Sequence, residues 1–125
     1  MTSLNNSRVP PLSSWQNLAE FFREFSRSPT EYVQYDSGYR SWKYTYAQIG
    51  KAARRFAARL SENNIQKGDK VIFWSENRPE WVSAFWGCVL AGVIVVPIDY
   101  RASLLFLRHV HPAAHAFQMM SSTRA

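Results

Sequence analysis

An uncharged run from Trp81 to Ile98 is the feature that most constrains this chain, because it is long enough to cross a bilayer as one helix. Its composition changes part of the way along. The first part, "WVSAFWGCVLA", mixes aromatic and small residues, whereas "VIVV" after Gly92 is wholly β-branched and is followed by Pro97. Gly92 suits a helix end, and β-branched residues favour a strand. We therefore predict a buried helix and a buried strand, with a membrane span as the alternative.

The segment before this run contains both helical and strand patterns. Ser13 or Ser14 could cap a first helix that ends near Pro29, since apolar residues follow at three- and four-residue spacing. Residues 31–46 then alternate in polarity around "DSGYR", which predicts a β-hairpin that turns at Gly38.

At Thr45 the period changes to 3.6, and "TYAQ" has the form of a capping box with Gln48. The predicted helix continues to "SENNIQKGD" and is followed by the apolar strand "KVIFWS", of the kind buried in parallel sheets. Asn77 could cap the next helix, with Pro79 in its first turn. The order strand, helix, strand predicts a βαβ unit, so the fold class is α/β.

Composition suits one folded domain, because 46% of the 125 residues are hydrophobic and 15% are aromatic. Cys88 is the one cysteine, so no intrachain disulfide can form and a reducing, cytoplasmic location is expected. Its apolar neighbours favour a buried structural thiol over a nucleophile. Residues 1–12 lack the apolar core of a signal peptide and are predicted to be a flexible leader.

The formal charge of +6 would suit an anionic partner if the basic residues were clustered. The densest group lies on the predicted second helix, and a smaller group on the first. We expect both to be solvated helix faces, with an interaction module for an acidic partner or a lipid surface as the alternative. These residues are Lys51, Arg54, Arg55 and Arg59, then Arg23 and Arg27.

None of the motifs predicts a complete catalytic or metal site. Gly87 and Gly92 have the outer spacing of a phosphate-binding Walker loop, but Val93 and Ile94 follow where that loop needs Lys and Ser or Thr. His109, His111 and His115 could be metal ligands, yet Pro112 interrupts them and no second ligand cluster accompanies them. The predicted catalytic, cofactor-binding and metal-binding residues are therefore none.

The tryptophans could stack on nucleic-acid bases if they lay on an exposed basic sheet. They fall instead within predicted apolar stripes, which favours packing in the core and predicts no nucleic-acid partner. The residues concerned are Trp15, Trp42, Trp74, Trp81 and Trp86.

Residues 41–103 resemble the N-terminal region of the AMP-forming acyl-CoA synthetases, within the adenylate-forming ligase superfamily. The resemblance rests on an ordered series: "YTYAQI" opens a helix, "KGDKV" enters a strand, "NRPEWV" opens a helix and "AGVIVVPID" turns from helix to strand. It implies a partial domain over residues 13–103, which belongs to a larger N-terminal domain and is an incomplete fold.

The resemblance also implies an activity for the whole family. A carboxylic acid, often a fatty acid, reacts with ATP in the presence of Mg²⁺ to form an acyl-adenylate, and coenzyme A then displaces AMP. The family's phosphate loop, adenine motif, ribose aspartate and catalytic lysine match no position in this sequence. The resemblance therefore implies a fragment that is inactive alone and binds none of these cofactors.

Residues 104–125 change in character, with three histidines and no further strand pattern. We expect a divergent tail, frameshifted or disordered, after a truncation near residue 103. The strands of such a fragment would lack their later partners, so self-association is expected.

Overall fold

Helices and strands alternate along the chain in the computed structural model, which describes residues 15–110 and 115–117. A helix precedes a hairpin, and three further helices separate the remaining strands. The elements are α1 (Leu18–Phe25), β1 (Glu31–Asp36), β2 (Ser41–Thr45), α2 (Tyr46–Glu62), β3 (Lys70–Trp74), α3 (Pro79–Ala91), β4 (Ile94–Ile98), α4 (Leu104–Val110) and β5 (His115–Phe117).

The first helix begins later than the sequence predicts. Asn17 is its N-cap and accepts a hydrogen bond from the backbone N–H of Glu20 at 2.9 Å. The predicted caps, Ser13 and Ser14, lie outside the described residues. Asn17 is an equally good capping residue, and it stands directly before the apolar stripe that the helix buries.

The hairpin and the start of α2 confirm two local predictions. Strands β1 and β2 pair antiparallel around Gly38. Gly38 has a φ of 94°, which glycine adopts without the steric strain that a side chain would cause. At the α2 N-terminus, Gln48 N–H donates to the Thr45 hydroxyl at 3.1 Å and Thr45 N–H donates to the Gln48 side chain at 2.9 Å. Both halves of the capping box are therefore made.

A parallel sheet with the order β4-β3-β5 forms the second half of the fold. Strand β3 pairs parallel with β4, with Ile72 opposite Val96, and α3 connects the two strands. The predicted βαβ unit is therefore confirmed. Gly92 ends α3 in the left-handed conformation with φ 74°, as predicted, and its N–H donates to carbonyls of the last helical turn.

Three details of this half differ from the sequence prediction. Arg78, not Asn77, is the N-cap of α3, and it makes no side-chain capping bond because a guanidinium has only donors and cannot accept from the N–H groups of the first turn. Strand β4 is only half-buried, since it lies at a sheet edge and Ile94 is 47% exposed. Strand β5 pairs parallel with β3 inside the segment where no further strand was expected.

The core lies between α2, α3 and β3. Phe73 and Val71 of β3 are fully buried against Phe56 and Leu60 of α2 and Cys88 of α3. A second cluster joins α1 to α2 and α3, where the rings of Phe22 and Trp86 stack at 4.4 Å with an interplanar angle of 6°. The contacts of the first cluster hold α2 and α3 against the face of the sheet that carries Val71 and Phe73.

The uncharged run is divided at Gly92 between α3 and β4. Among the described residues, the structure has no helix with both the length and the apolar character that a membrane span requires. The prediction of a helix followed by a strand is confirmed.

Candidate functional site

A groove of about 340 Å³ opens where β3 and β4 end. In parallel α/β sheets, ligands bind outside the carboxyl ends of the strands, because successive loops meet at that edge. One wall follows β3 and continues into α3, and the other follows β4. The lining residues are Ser75, Asn77, Trp81, Pro97, Ile98, Asp99, Tyr100 and Arg101.

The loop after β4 is fixed by a short charged turn. Asp99 accepts hydrogen bonds from the backbone N–H and Nε of Arg101, and its other oxygen contacts an Arg101 terminal nitrogen at 2.8 Å. These bonds lower the pKa of Asp99 to about 2 and raise the pKa of Arg101. Because each charge already has its partner, neither group is a free general base or a free cation.

A hydrogen bond between the two walls sets the width of the groove. Trp74 is the last residue of β3, and its indole N–H donates to the carbonyl oxygen of Tyr100 at 3.1 Å. Trp81 lies behind it, edge-on to the buried ring of Phe73 at 5.3 Å. The groove is therefore anchored to the core through aromatic side chains.

Arg78 lies at the start of α3, close to the hairpin. Its guanidinium carbon is 5.1 Å from the centre of the Tyr35 ring, a cation–π distance. Its Nε is buried without a hydrogen bond, since the nearest carboxylate oxygen, from Glu80, is 3.6 Å away. Arg78 therefore ties the hairpin to the βαβ unit, and one buried donor remains unsatisfied.

The groove does not fit the cofactors that the resemblance implies. Mg²⁺ takes oxygen ligands, and in nucleotide sites one or two carboxylates hold it together with phosphate oxygens. Asp99 is the one carboxylate among the groove-lining residues, and it is already paired with Arg101 at 2.8 Å. A phosphate cradle needs closely spaced backbone amides, and none of the groove-lining residues is glycine. The groove-lining residues therefore supply neither a free carboxylate for Mg²⁺ nor a glycine-rich cradle for a phosphate.

The cysteine and the histidines that the sequence offers as possible reactive or metal-binding residues are not among the groove-lining residues. Cys88 is fully buried in the core, and burial raises its pKa to about 12, so its thiol is structural as predicted. His109 is exposed on α4, His111 lies outside the described residues, and His115 opens β5. These three histidines stay untested as metal ligands.

Gly87 and Gly92 both have structural roles. A Cβ at Gly87 would lie 2.8 Å from the backbone oxygen of Ala53, so glycine lets α2 and α3 approach closely. Gly92 caps a helix. Neither belongs to a phosphate loop, as the sequence predicts.

Most of the tryptophans contribute to packing, as expected. Trp86 is 8% exposed, and Trp81 stacks on Phe85 at 5.7 Å. Trp15 lies against Phe21, and Trp42 is half-buried beside Tyr35. The four basic side chains of α2 are exposed, which both a solvated face and an interaction module require.

Sequence reasoning missed the groove and the position of Arg78. A usable signal was present, because "SENR" and "DYR" directly follow the two strands of the predicted βαβ unit. The contact of Arg78 with Tyr35 gave no such signal, since it joins residues far apart in the chain.

Comparisons with known proteins agree on one family. Residues 21–120 match the family model described as AMP-binding enzyme, and that range includes part of the segment predicted to diverge. The chain is 30% identical over 105 residues to 4-hydroxybutyrate–CoA ligase 2 of Metallosphaera sedula, covering 79% of this chain and 18% of that protein. It is 44% identical over 57 residues to a medium/long-chain-fatty-acid–CoA/3-oxocholest-4-en-26-oate–CoA ligase of Mycobacterium tuberculosis, covering 46% of this chain and 10% of that relative.

Solved structures show the same fold. The fatty acid AMP ligase from Legionella pneumophila superimposes with a TM-score of 0.76 at 25% identity, over 94% of this chain and 21% of that one. The N-terminal subdomain of Klebsiella oxytoca NpsA superimposes with a TM-score of 0.71 at 23% identity, over 89% of this chain and 29% of that one.

The chain thus spans less than a fifth of the length of these curated relatives. Its elements correspond to a partial N-terminal segment of the adenylate-forming ligase fold. The family match covers most of the chain, and the order of helices and strands agrees with it. The chain therefore belongs to the AMP-binding enzyme family.

Proposed function

We propose that this chain is an N-terminal scaffold segment of an ATP-dependent carboxylic acid–CoA ligase and forms no acyl-adenylate alone. The observation that carries this proposal is the family match over residues 21–120, together with relatives that are named as CoA ligases. In the intact enzyme the acid, ATP, Mg²⁺ and coenzyme A would be bound by segments that this chain does not match. Fatty acids are the expected substrate class, and the expected location is the cytoplasm.

The chemistry of the described residues supports the inactivity. Adenylate formation develops charge on the α-phosphate and on the leaving pyrophosphate, and this charge must be stabilised by cations and aligned amides. Arg101 is the cationic residue that lines the groove, and its guanidinium is already paired with the Asp99 carboxylate at 2.8 Å. A phosphate entering there would have to compete with a carboxylate two residues away in the chain.

Exposed apolar residues support self-association of the chain as a further part of the proposal. Leu104, Leu105 and Phe106 are 58%, 68% and 48% exposed on α4, and Ile94 lies on the edge strand β4. An uncovered edge strand and exposed apolar side chains both favour contacts between copies. A monodisperse monomer in light scattering would contradict this part of the proposal.

Pyrophosphate release is the test of the activity proposal. The purified chain is incubated with ATP, Mg²⁺, coenzyme A and a panel of short, medium and long carboxylic acids, with the Metallosphaera sedula 4-hydroxybutyrate–CoA ligase 2 as the positive control. We expect acid-dependent pyrophosphate release from the control alone. Clear acid-dependent release by the chain would overturn the proposed inactivity.

A further inference from the structure

A second cavity, of about 540 Å³, lies between α1 and α2, away from the groove at the sheet edge. Arg23 and Arg27 line it from the end of α1 and the turn that follows, and Arg54 lines it from the middle of α2. Leu90 of α3 contributes an apolar surface. Three arginines therefore line the cavity, two from the end of α1 and one from α2.

Close packing of the two helices brings these cations together. A Cβ at Gly50 would lie 2.5 Å from the backbone oxygen of Ser26, so the end of α1 lies against α2 with no side chain between them. Ser26 is itself buried, at 3% exposure, and its hydroxyl accepts a long hydrogen bond of 3.4 Å from Arg54. The position of Arg54 beside α1 is thus set by backbone contact.

The carboxylates that could neutralise these three arginines make other contacts. Within residues 15–110, no carboxylate lies at ion-pair distance from Arg23, Arg27 or Arg54. The acidic residues of α1 bind its own N-terminal side: Glu20 accepts from the backbone N–H of Gln16, and Glu24 accepts from the indole of Trp15.

The carbonyl groups at the end of α1 would repel an anion if they faced the cavity unpaired. Phe22 and Phe25 accept backbone hydrogen bonds at 2.8 and 3.0 Å, and the Arg23 carbonyl accepts from the Ser26 hydroxyl at 3.2 Å. These three carbonyls are therefore paired within the chain, and the arginines supply the positive charge that lines the cavity.

We infer that this cavity binds a phosphoryl group through Arg23, Arg27 and Arg54. Guanidinium groups present paired donors that match phosphate oxygens, and three of them suit a dianion better than a single carboxylate. The volume, about 540 Å³, is within the range of small-ligand sites. The chemical class is a phosphate monoester or a diphosphate, either free in solution or at the headgroup of a lipid.

Matched arginine variants distinguish this site from general attraction to a basic helix. Arg54→Gln and Arg23→Gln each remove one charge from the cavity, whereas Arg55→Gln removes the same charge from the next, exposed position of α2. Arg54→Lys keeps the charge and loses the paired donors. All three positions carry exposed side chains, and far-UV circular dichroism checks that each of the four variants folds like the parent chain.

Binding is measured with two probes on the full chain. Inorganic pyrophosphate is titrated by calorimetry at low salt, and sedimentation measures binding to phosphatidylcholine vesicles with and without phosphatidic acid. We expect saturable binding that weakens about fivefold in Arg54→Gln and in Arg23→Gln, and no more than about twofold in Arg55→Gln. Arg54→Lys should lie between the parent and Arg54→Gln.

The two probes separate the sources of the phosphoryl group. Pyrophosphate binding with this variant pattern supports a soluble ligand, and the same pattern seen with phosphatidic acid vesicles alone supports a lipid headgroup. The inference is overturned if neither probe binds, or if Arg55→Gln weakens binding as much as Arg54→Gln does.

Discussion

Trp86 links three parts of the fold, and its removal is the sharpest test of how the helices are held together. Its ring stacks on Phe22 of α1, and its indole N–H donates to the Tyr32 hydroxyl of the hairpin at 2.8 Å. Trp86 itself belongs to α3, so Trp86→Ala breaks contacts with two other elements. We expect this substitution to detach α1 and the hairpin from the α2–α3 pair.

The size of the effect follows from burial. Trp86 is 8% exposed, and a buried tryptophan removes roughly 200 Å² from water, which at about 25 cal/mol per Å² amounts to about 5 kcal/mol. Alanine keeps a small part of that area, and measured Trp→Ala costs in cores are about 3–5 kcal/mol. We therefore expect a loss of about 4 kcal/mol in the free energy of unfolding. That is a large part of the roughly 5–15 kcal/mol typical of small domains.

The assay is urea unfolding of dilute protein, followed by far-UV circular dichroism. Tyr39→Ala is the matched control, because Tyr39 is 98% exposed and its removal should change the free energy by no more than about 0.5 kcal/mol. Tyr32→Phe removes only the hydrogen bond and should cost about 1 kcal/mol. The reasoning is refuted if Trp86→Ala costs no more than Tyr39→Ala.

Three further predictions concern single local features. Thr45→Ala removes one half of the capping box and should cost about 1 kcal/mol in urea unfolding, whereas Ser61→Ala, at the exposed end of the same helix, should be close to neutral. Cys88 should resist thiol labelling at pH 8 until urea is added, because it is buried with a pKa of about 12; rapid labelling of the folded chain would contradict its placement. In NMR titrations the Asp99 carboxyl should have a midpoint near 2, and Arg101→Gln should raise it toward 3.8. Since the folded pKa is lowered, this contact stabilises the chain above pH 3.8 and is lost as the pH falls toward 2; an Asp99 midpoint unaffected by Arg101→Gln would exclude the contact.

Features set by neighbouring residues could be predicted from the sequence. The capping box at Thr45, the turn at Gly38 and the division of the uncharged run at Gly92 each depend on a few adjacent residues, and all three are confirmed. A short segment of sequence was sufficient to predict these three features, because each depends on the backbone conformation and hydrogen bonds of neighbouring residues.

Features made by distant residues could not be predicted in this way. Strand β5 has three residues, and its pairing with β3 crosses more than forty positions, so no local period marks it. The arginine cavity depends on the close approach of α1 to α2 at Gly50, which brings Arg54 beside Arg23 and Arg27. On the sequence these residues form two separate basic groups.

A graft into a working ligase tests the scaffold role most directly. The 105-residue segment of the Metallosphaera sedula 4-hydroxybutyrate–CoA ligase 2 that matches this chain is replaced by the matching residues of this chain. Acid-dependent pyrophosphate release is then compared with that of the parent ligase and of the same graft carrying Trp86→Ala. We expect the graft to retain measurable CoA ligase activity and the Trp86→Ala graft to lose most of it. A folded graft with no activity would contradict the proposal that this chain supplies the scaffold of such an enzyme.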